Sequence, residues 1–297
     1  MRFVATLVAP TASSLLDYAT VQTISTCLKA HGATLGAEDW LSDNEACDIF
    51  FSELELSVAK DLIHNEIAGA KIDLSVQETS NRRKKLLVAD MESTIIPQEM
   101  IDELAVRHGI GDEIALITGK SMRGELNFEE SLRERVALLK GIEEKELESL
   151  SSIMTLNPGA DTLVKTMRGH GAYTALVSGG FTYFTSQIKD LCGFDEDRAN
   201  DLKIENNKLT GMVGEPILGR EAKLEVTEAL VQQLSITLSD VCAVGDGAND
   251  LAMLSAVGMG VGYHAKPIVK ETAAFQVEHT NHLALLFYQG YRRKGFY

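Results

Sequence analysis

Residues 86–94, which read LLVADMEST, constrain the fold more than any other stretch of the sequence. The first four are apolar and branched enough to form a buried strand, and the carboxylates of Asp90 and Glu92 follow directly. In a parallel α/β sheet, ligands bind just beyond the carboxyl ends of the strands. A carboxylate at that place is costly to bury unless it binds a cation or takes part in a reaction. By itself, the segment is equally compatible with a strand that runs into an acidic surface turn.

Two further predicted strands also end in polar groups. The strand 173–177 is followed by SGGF, and the strand 241–244 is followed by GDGAND. Strands that alternate with helices in this way predict a doubly wound parallel α/β sheet. In such a sheet the three strand ends can converge on one crevice, and Lys223, in the first turn of a later predicted helix, can join them.

The residues at these strand ends suit a metal ion and a phosphate group. The carboxylates of Asp90 and Asp246, with Asp250 as a further candidate, favour Mg²⁺. Ser178 and the glycine amides after it can donate hydrogen bonds to a phosphate, and Lys223 can supply a fixed positive charge. Taken singly, the lysine fits a surface residue and the glycine segment a plain turn. Together they indicate phosphoryl transfer, in which positioning and charge neutralisation do most of the catalysis.

The first 80 residues predict a small α+β unit. Strands are expected at 3–8, 33–41, 47–52 and 72–76, and helices at 15–30 and 58–68. The order βαββαβ is ferredoxin-like, a pattern that regulatory ACT-type domains share. The basic segment 80–85 predicts a solvated linker rather than a nucleic-acid patch, because its four basic residues lie in acidic surroundings. We therefore expect a domain at 1–80, with a structural, dimerising or ligand-sensing role, and a second domain at 81–297.

A helical stretch at about 99–152 follows the first strand of the second domain. It contains no strand pattern, and an insertion of this kind predicts a helical cap over the strand ends, placed at about 98–156. The turn-forming residues Asn157-Pro158-Gly159 mark the return of the chain to the sheet.

Composition limits the classes of partner. The chain has 297 residues and a formal net charge of −15, which argues against nucleic acid or an anionic membrane surface as the main partner. No apolar run approaches the ~20 residues of a membrane span, and the amino terminus does not read as a signal peptide. The four cysteines are scattered in apolar contexts, which predicts buried thiols in a reducing cytoplasm rather than a disulfide frame or a zinc site.

Four motifs resemble, in order and spacing, those of the haloacid dehalogenase superfamily of phosphatases. They are DMEST at 90–94, VSGGF at 177–181, the isolated Lys223, and GDGANDLAM at 245–253. The longer segments DMESTIIPQEMIDELA, GELNFEESLRERVALL and VSGGFTYF resemble the phosphoserine phosphatase family in particular. The resemblance covers about residues 84–290, and bacterial members of that family also occur with an ACT-like leader domain.

The resemblance implies a Mg²⁺-dependent hydrolysis of O-phospho-L-serine, the last step of serine biosynthesis, in two chemical steps. Asp90 would attack phosphorus and become an aspartyl phosphate, which water then hydrolyses. Glu92 would protonate the departing serine oxygen and later deprotonate the water. Mg²⁺ would be held by Asp90, Asp246 and the backbone carbonyl of Glu92, with Asp250 acting through water.

The resemblance also implies which residues bind the substrate. Ser178, Gly179 and Lys223 would hold the phosphate, and Asn249 would orient the phosphoryl group or the lysine. In the cap, Glu99 would pair with the substrate ammonium, Arg135 would bind the substrate carboxylate, and Met122 and Phe128 would line and close the pocket.

One position departs from the family pattern, because most members carry aspartate where this chain has Glu92. The extra methylene moves the carboxyl group by about 1.5 Å, so either the backbone compensates or the acid–base step is slower. Two alternatives remain open: a phosphotransferase that passes the phosphoryl group to homoserine or another small alcohol, and an amino-acid-binding regulatory protein with a vestigial phosphatase site. A homodimer is expected from the family.

Overall fold

The computed structural model describes residues 1–122, 125–219 and 221–297, with only the backbone of Met122. Within these ranges the chain forms a four-stranded antiparallel sheet, a six-stranded parallel sheet and a two-stranded hairpin. The strands are β1 (Phe3–Val8), β2 (Thr34–Ser42), β3 (Ala46–Ser52), β4 (Asp73–Glu78), β5 (Leu86–Ala89), β6 (Tyr173–Phe181), β7 (Glu196–Asn200), β8 (Leu202–Glu205), β9 (Lys208–Val213), β10 (Val241–Gly245), β11 (Met259–Tyr263) and β12 (Phe275–Val277). The helices are α1 (Tyr18–Ala30), α2 (Leu56–Glu66), α3 (Met100–Arg107), α4 (Gly111–Met122), α5 (Phe128–Leu138), α6 (Lys145–Ser151), α7 (Ala160–Gly169), α8 (Thr182–Cys192), α9 (Ala222–Gln233), α10 (Leu251–Ala256), α11 (Pro267–Lys270) and α12 (Leu283–Tyr288).

The amino-terminal sheet confirms the βαββαβ prediction. Its strand order is β2-β3-β1-β4, and α1 and α2 connect the strands as expected. Helix α1 begins at Tyr18, three residues later than predicted, because the side chain of Asp17 accepts a hydrogen bond from the backbone N–H of Thr20 and caps the helix. The ACT-like assignment and the division into domains at residue 80 stay predictions.

The parallel sheet confirms the predicted α/β fold and places the polar strand ends side by side. Its order is β12-β11-β10-β5-β6-β7, so β5 lies between β10 and β6. In register, Ala89 at the end of β5 faces Val244 on one side and Leu176 on the other. The residues that follow these three positions therefore share one edge of the sheet.

Three elements beside this edge differ from the prediction. β6 continues through SGGF as far as Phe181, where it pairs with Asn200 of β7, so the strand extends four residues beyond its predicted end at Val177. Neither α8 nor β7 was predicted from the sequence. The short, mostly charged sequence of β7, EDRAN, gives little strand signal, and pairing with β6 determines its conformation.

Helices α3–α6 confirm the predicted helical cap, which lies between β5 and α7 in the chain. The β8–β9 hairpin touches the cap through backbone hydrogen bonds between Gly141 N–H and the Leu209 carbonyl and between Leu209 N–H and the Ile142 carbonyl, both at 2.8 Å. No helix in the described ranges is both long and apolar enough to span a bilayer.

The segment 80–85 is solvated only in part, because Ser80, Asn81, Arg83 and Lys85 are exposed but Arg82 and Lys84 are not. Arg82 lies against the amino-terminal sheet, where its guanidinium makes two hydrogen bonds to the buried carboxylate of Asp48, at 2.6 and 2.7 Å. The ammonium of Lys84 is bound by two backbone carbonyls. A buried charge requires a partner, and the partners of these two basic residues lie on different elements. Arg82 and Lys84 therefore connect parts of the structure.

The amino-terminal sheet is also tied to the carboxyl-terminal part of the chain. The carboxylate of Asp73 in β4 accepts hydrogen bonds from the backbone N–H groups of Glu278, His279 and Thr280 and from the Thr280 hydroxyl. The side chain of Val8 belongs to the same buried apolar cluster as the residues of the parallel sheet. The two sheets are thus joined by polar and apolar contacts.

Candidate active site

The end of β5 places Asp90 at the centre of the site. Its backbone N–H continues the ladder to the Val244 carbonyl, and one carboxylate oxygen accepts a hydrogen bond from the Met91 N–H at 2.8 Å. The other oxygen lies 2.7 Å from the ammonium of Lys223, which is itself buried. Asp90 is therefore fixed by two contacts and keeps an orientation determined by the sheet.

The loop after β10 brings two more carboxylates to Asp90. One ligand oxygen from each of Asp90, Asp246 and Asp250 lies within 4.8 Å of the others, and all three residues are buried. Asp250 accepts hydrogen bonds from Lys223 at 2.6 Å and from the Gly247 N–H at 3.0 Å. A β-carbon on Gly245 would stand 2.3 Å from the carboxyl carbon of Asp250, so the turn needs glycine to admit this side chain.

Burial and crowding of charge decide the protonation of this cluster. Burial raises the pKa of Asp90 to about 7, opposed by the ammonium of Lys223 and reinforced by the carboxylate of Asp250. Burial alone would lower the pKa of Lys223, but the carboxylates of Asp250 and Asp90 raise it above its ordinary value. The lysine therefore stays charged, and with the half-exposed ammonium of Lys266, which lies 3.0 Å from Asp246, two cations face three carboxylates. The cluster thus keeps an excess of negative charge.

Glu92 uses its extra methylene to reach the cap. Its Oε1 accepts a hydrogen bond from the backbone N–H of Met100, the first residue of α3, at 2.8 Å. Burial, with the nearby carboxylates of Glu99 and Asp90, raises the pKa of Glu92 to about 8. Glu92 is therefore protonated near neutral pH, which is the form that a general acid requires.

Glu99 and Arg135 approach the same cavity from the cap. Glu99 is the N-cap residue of α3, yet its side chain makes no capping bond and instead accepts a 2.7 Å hydrogen bond from the Ser93 hydroxyl. In the described ranges, Arg135 has no carboxylate within ion-pair distance, and its recorded hydrogen bond is a long one to the Ser131 carbonyl. Burial lowers the pKa of Arg135, and burial raises that of Glu99. Both groups are poised for a ligand of opposite charge.

The SGGF strand end provides the opposite wall. The Ser178 hydroxyl accepts a hydrogen bond from the Gly180 N–H, and the carbonyl of Gly179 accepts one from the Asn200 side chain. The ring of Phe128 stands over Gly179, 3.1 Å from where a β-carbon would be. A cap residue therefore covers this wall directly.

These groups line one cavity of about 280 Å³. Among its lining residues are the sequence-predicted Asp90, Glu92, Glu99, Phe128, Arg135, Ser178, Gly179, Asp246 and Asn249. Lys223 and Asp250 lie directly behind Asp90. The side chain of Met122 lies outside the described part of the chain, so its predicted place at the pocket stays a prediction.

Lys266 lines the cavity and was missed by the sequence reasoning. Its ammonium lies 3.0 Å from the carboxylate of Asp246, and its backbone N–H donates to the Asp246 carbonyl. The available signal was its position shortly after β11, a fourth strand of the same parallel sheet. The rule that ligands bind beyond the carboxyl ends of strands applies to that strand as well.

The arrangement can hold a phosphate ester beside a nucleophilic carboxylate. A model of haloacid dehalogenase-like hydrolases matches residues 27–255. The chain belongs to this family. Its DMEST, VSGGF and GDGAND segments are the parts that the structure brings together at one sheet edge.

Relatives and solved structures within this hydrolase family are similar over most of the chain. A phosphoserine phosphatase from Methanocaldococcus jannaschii is 40% identical over 197 residues, which cover 66% of this chain and 93% of that protein. A phosphoserine phosphatase from Archaeoglobus fulgidus is 40% identical over 220 residues, or 74% of this chain. The unliganded structure of a probable phosphoserine phosphatase from Vibrio cholerae superposes with a TM-score of 0.79 and 30% identity, covering 99% of this chain and 88% of that one.

Several of these relatives are longer than the region over which this chain matches them. The chain spans 64%, 56% and 57% of the lengths of the phosphoserine phosphatases from Archaeoglobus fulgidus, Streptomyces coelicolor and Vibrio cholerae.

Proposed function

We propose that this hydrolase removes phosphate from O-phospho-L-serine in a Mg²⁺-dependent reaction. The observation that carries the proposal is the arrangement of charges around one cavity of about 280 Å³. The Asp90 cluster with Lys223 lies at the sheet edge, and Glu99 and Arg135 project from the cap. A phosphate, an ammonium and a carboxylate on one small molecule would each find a partner of opposite charge there.

The carboxylate cluster fits a Mg²⁺ ion. Three buried carboxylates within 4.8 Å of one another are hard oxygen donors, and the buried Lys223 together with the half-exposed Lys266 does not balance their charge. Asp90, Asp246 and the backbone carbonyl of Glu92 would hold the ion, with Asp250 acting through water. When bound, Mg²⁺ would neutralise charge on the phosphoryl oxygens.

The chain's own residues would carry the two steps. The free lone pairs of Asp90 would attack phosphorus, while Lys223, Ser178 and the amide of Gly179 bind the phosphoryl oxygens and Asn249 orients them. Glu92, protonated near neutral pH, would give its proton to the departing serine oxygen. The Glu92 carboxylate left behind would then take a proton from the water that cleaves the aspartyl phosphate, and Asp90 would be regenerated.

Glu92 supports catalysis better than its unusual length suggests. Oε1 of Glu92 accepts the hydrogen bond from the Met100 N–H, so Oε2 is left for proton transfer. Oε2 lies next to Gly180, in the SGGF strand end that lines the cavity. The carboxyl group therefore lies at the cavity, which argues against a vestigial site. We propose that phosphate is released to water, and that Phe128 and Met122 close the pocket.

The roles of the remaining parts of the chain rest on the family. We propose that the amino-terminal sheet is an ACT-like domain with a structural or dimerising role, that the chain acts as a homodimer, and that it works in the cytoplasm. Support for the last point comes from Cys47, Cys192 and Cys242, which are buried and unpaired as predicted, whereas Cys27 is unpaired but only partly buried.

The test measures phosphate release from O-phospho-L-serine with Mg²⁺, by the native chain and by Asp90→Asn. We expect release by the native chain and a loss of at least 10³-fold in the variant, because asparagine has no nucleophilic oxygen anion. Free phosphate formed without any added alcohol distinguishes a phosphatase from a phosphotransferase. Good hydrolysis of other phosphate esters, with none of phosphoserine, would reject the substrate.

A further inference from the structure

Ser93 has a backbone conformation that serine rarely adopts. Its φ is +54°, in the left-handed region, where an L-residue with a β-carbon is strained and glycine is not. The conformation is imposed by a tight turn, in which the carbonyl of Met91 accepts hydrogen bonds from the N–H groups of Thr94, Ile95 and Ile96. Strain of this kind persists where the side chain has a task that the surrounding structure supports.

The side chain of Ser93 has one recorded contact, and it points to that task. Its hydroxyl donates a 2.7 Å hydrogen bond to Oε1 of Glu99, and no other side-chain bond to the Glu99 carboxylate is recorded in the described part of the chain. A carboxylate at an N-cap usually turns back to accept from the helix amides. The carboxylate of Glu99 makes no such bond and instead lines the cavity, while Glu92 accepts from the first amide of α3.

We propose that Ser93 is a positioning residue that selects for a substrate ammonium group through Glu99. The Ser93 hydroxyl holds one oxygen of Glu99 and leaves the other for the ammonium. Because a donor favours a charged acceptor, the same bond favours the anionic form of Glu99 and opposes the burial that raises its pKa. The inference rests on the proposed function and adds to it a residue that determines which phosphate esters bind.

The test compares O-phospho-L-serine with p-nitrophenyl phosphate, an activated ester that has no ammonium group. Ser93→Gly removes the hydroxyl and relieves the strained backbone, whereas Ser93→Ala removes the hydroxyl and keeps the strain. We expect both variants to raise the KM for phosphoserine about tenfold, which is the size of one hydrogen bond to a charged group, and to leave kcat/KM for p-nitrophenyl phosphate within twofold. The Tm of Ser93→Gly should equal or exceed that of the native chain.

A double substitution separates positioning from general damage. In a Glu99→Ala background, Ser93→Gly should change the KM for phosphoserine by less than twofold, because the hydroxyl then has no carboxylate to hold. An unchanged KM in both single variants, or equal losses on the two esters, would overturn the role of Ser93 alone. A native chain that hydrolyses p-nitrophenyl phosphate but not phosphoserine would overturn the proposed substrate and, with it, this inference.

Discussion

Glu92→Asp and Glu92→Gln should separate the structural and the chemical role of this residue. In the native chain, Oε1 of Glu92 lies 2.8 Å from the N–H of Met100, whose side chain is fully buried. Aspartate is shorter by about 1.5 Å, which takes the acceptor out of hydrogen-bonding reach. A buried N–H without an acceptor costs about 1–3 kcal/mol, so the Tm should fall by roughly 2–10 °C.

Glutamine keeps the length of the side chain and an oxygen that can accept from Met100. It also resembles the protonated acid, which is the form that a pKa of about 8 gives Glu92 at pH 7. The Tm of Glu92→Gln should therefore lie within about 2 °C of the native value, while kcat should fall 10²- to 10⁴-fold, since an amide cannot exchange the proton.

The measurements are thermal melts by circular dichroism and steady-state phosphate release, both at pH 7 with and without Mg²⁺. Glu92→Asp with a native Tm would refute the capping role of this side chain. A destabilised Glu92→Gln with native kcat would refute the whole argument, because it would reverse both assignments.

Three further predictions follow from the charges. In the proposed reaction Mg²⁺ would bind the ionised form of Asp90, whose pKa is raised to about 7 by burial, so the affinity for Mg²⁺ should weaken by up to tenfold per pH unit as the pH falls below 7. Calorimetry in buffers of different ionisation enthalpy should detect the released proton, and no proton release at pH 6 would contradict this prediction. Lys266→Met should strengthen Mg²⁺ binding by up to about fivefold, because the half-exposed ammonium of Lys266 competes with the ion for Asp246. The same substitution should raise the substrate KM. A weaker affinity for Mg²⁺ would count against the competition. Asp48→Asn should lower the free energy of unfolding in urea by about 3–5 kcal/mol, because it leaves the guanidinium of Arg82 without its buried partner. As a control, Glu78→Gln removes an exposed ion pair with Arg2 and should change the free energy of unfolding by less than about 0.5 kcal/mol.

The sequence predicts which residues lie together at the candidate site, because strand ends are local features. Asp90, Ser178 and Asp246 each follow an apolar run, and the rule of the parallel sheet brings such ends together without knowledge of the strand order. The helical cap is equally readable, since helix periodicity and glycine breaks are local too. The fold class and the carboxylate cluster therefore needed no tertiary information.

What the sequence did not predict depends on contacts between distant residues. The basic segment 80–85 reads as solvated, because nothing near it in the chain reveals that Asp48 and the Tyr288 carbonyl lie beside Arg82. The strand β7 is charged and short, and its pairing with β6 determines its conformation. The extra length of the Glu92 side chain likewise has a role only because the backbone N–H of Met100, eight residues later, lies within hydrogen-bonding distance.

The contacts of Asp73 decide how this molecule could be divided in the laboratory. A fragment that began after residue 80 would lose the acceptor of the Glu278, His279 and Thr280 amides. The carbonyl of that same Thr280 accepts a 3.0 Å hydrogen bond from Nε2 of His264, which lies two residues before Lys266 in the cavity wall. Trimming the leader would therefore loosen a turn that supports the catalytic cleft, and a shortened enzyme would need a replacement for one carboxylate before its kinetics could be compared with those of the intact chain.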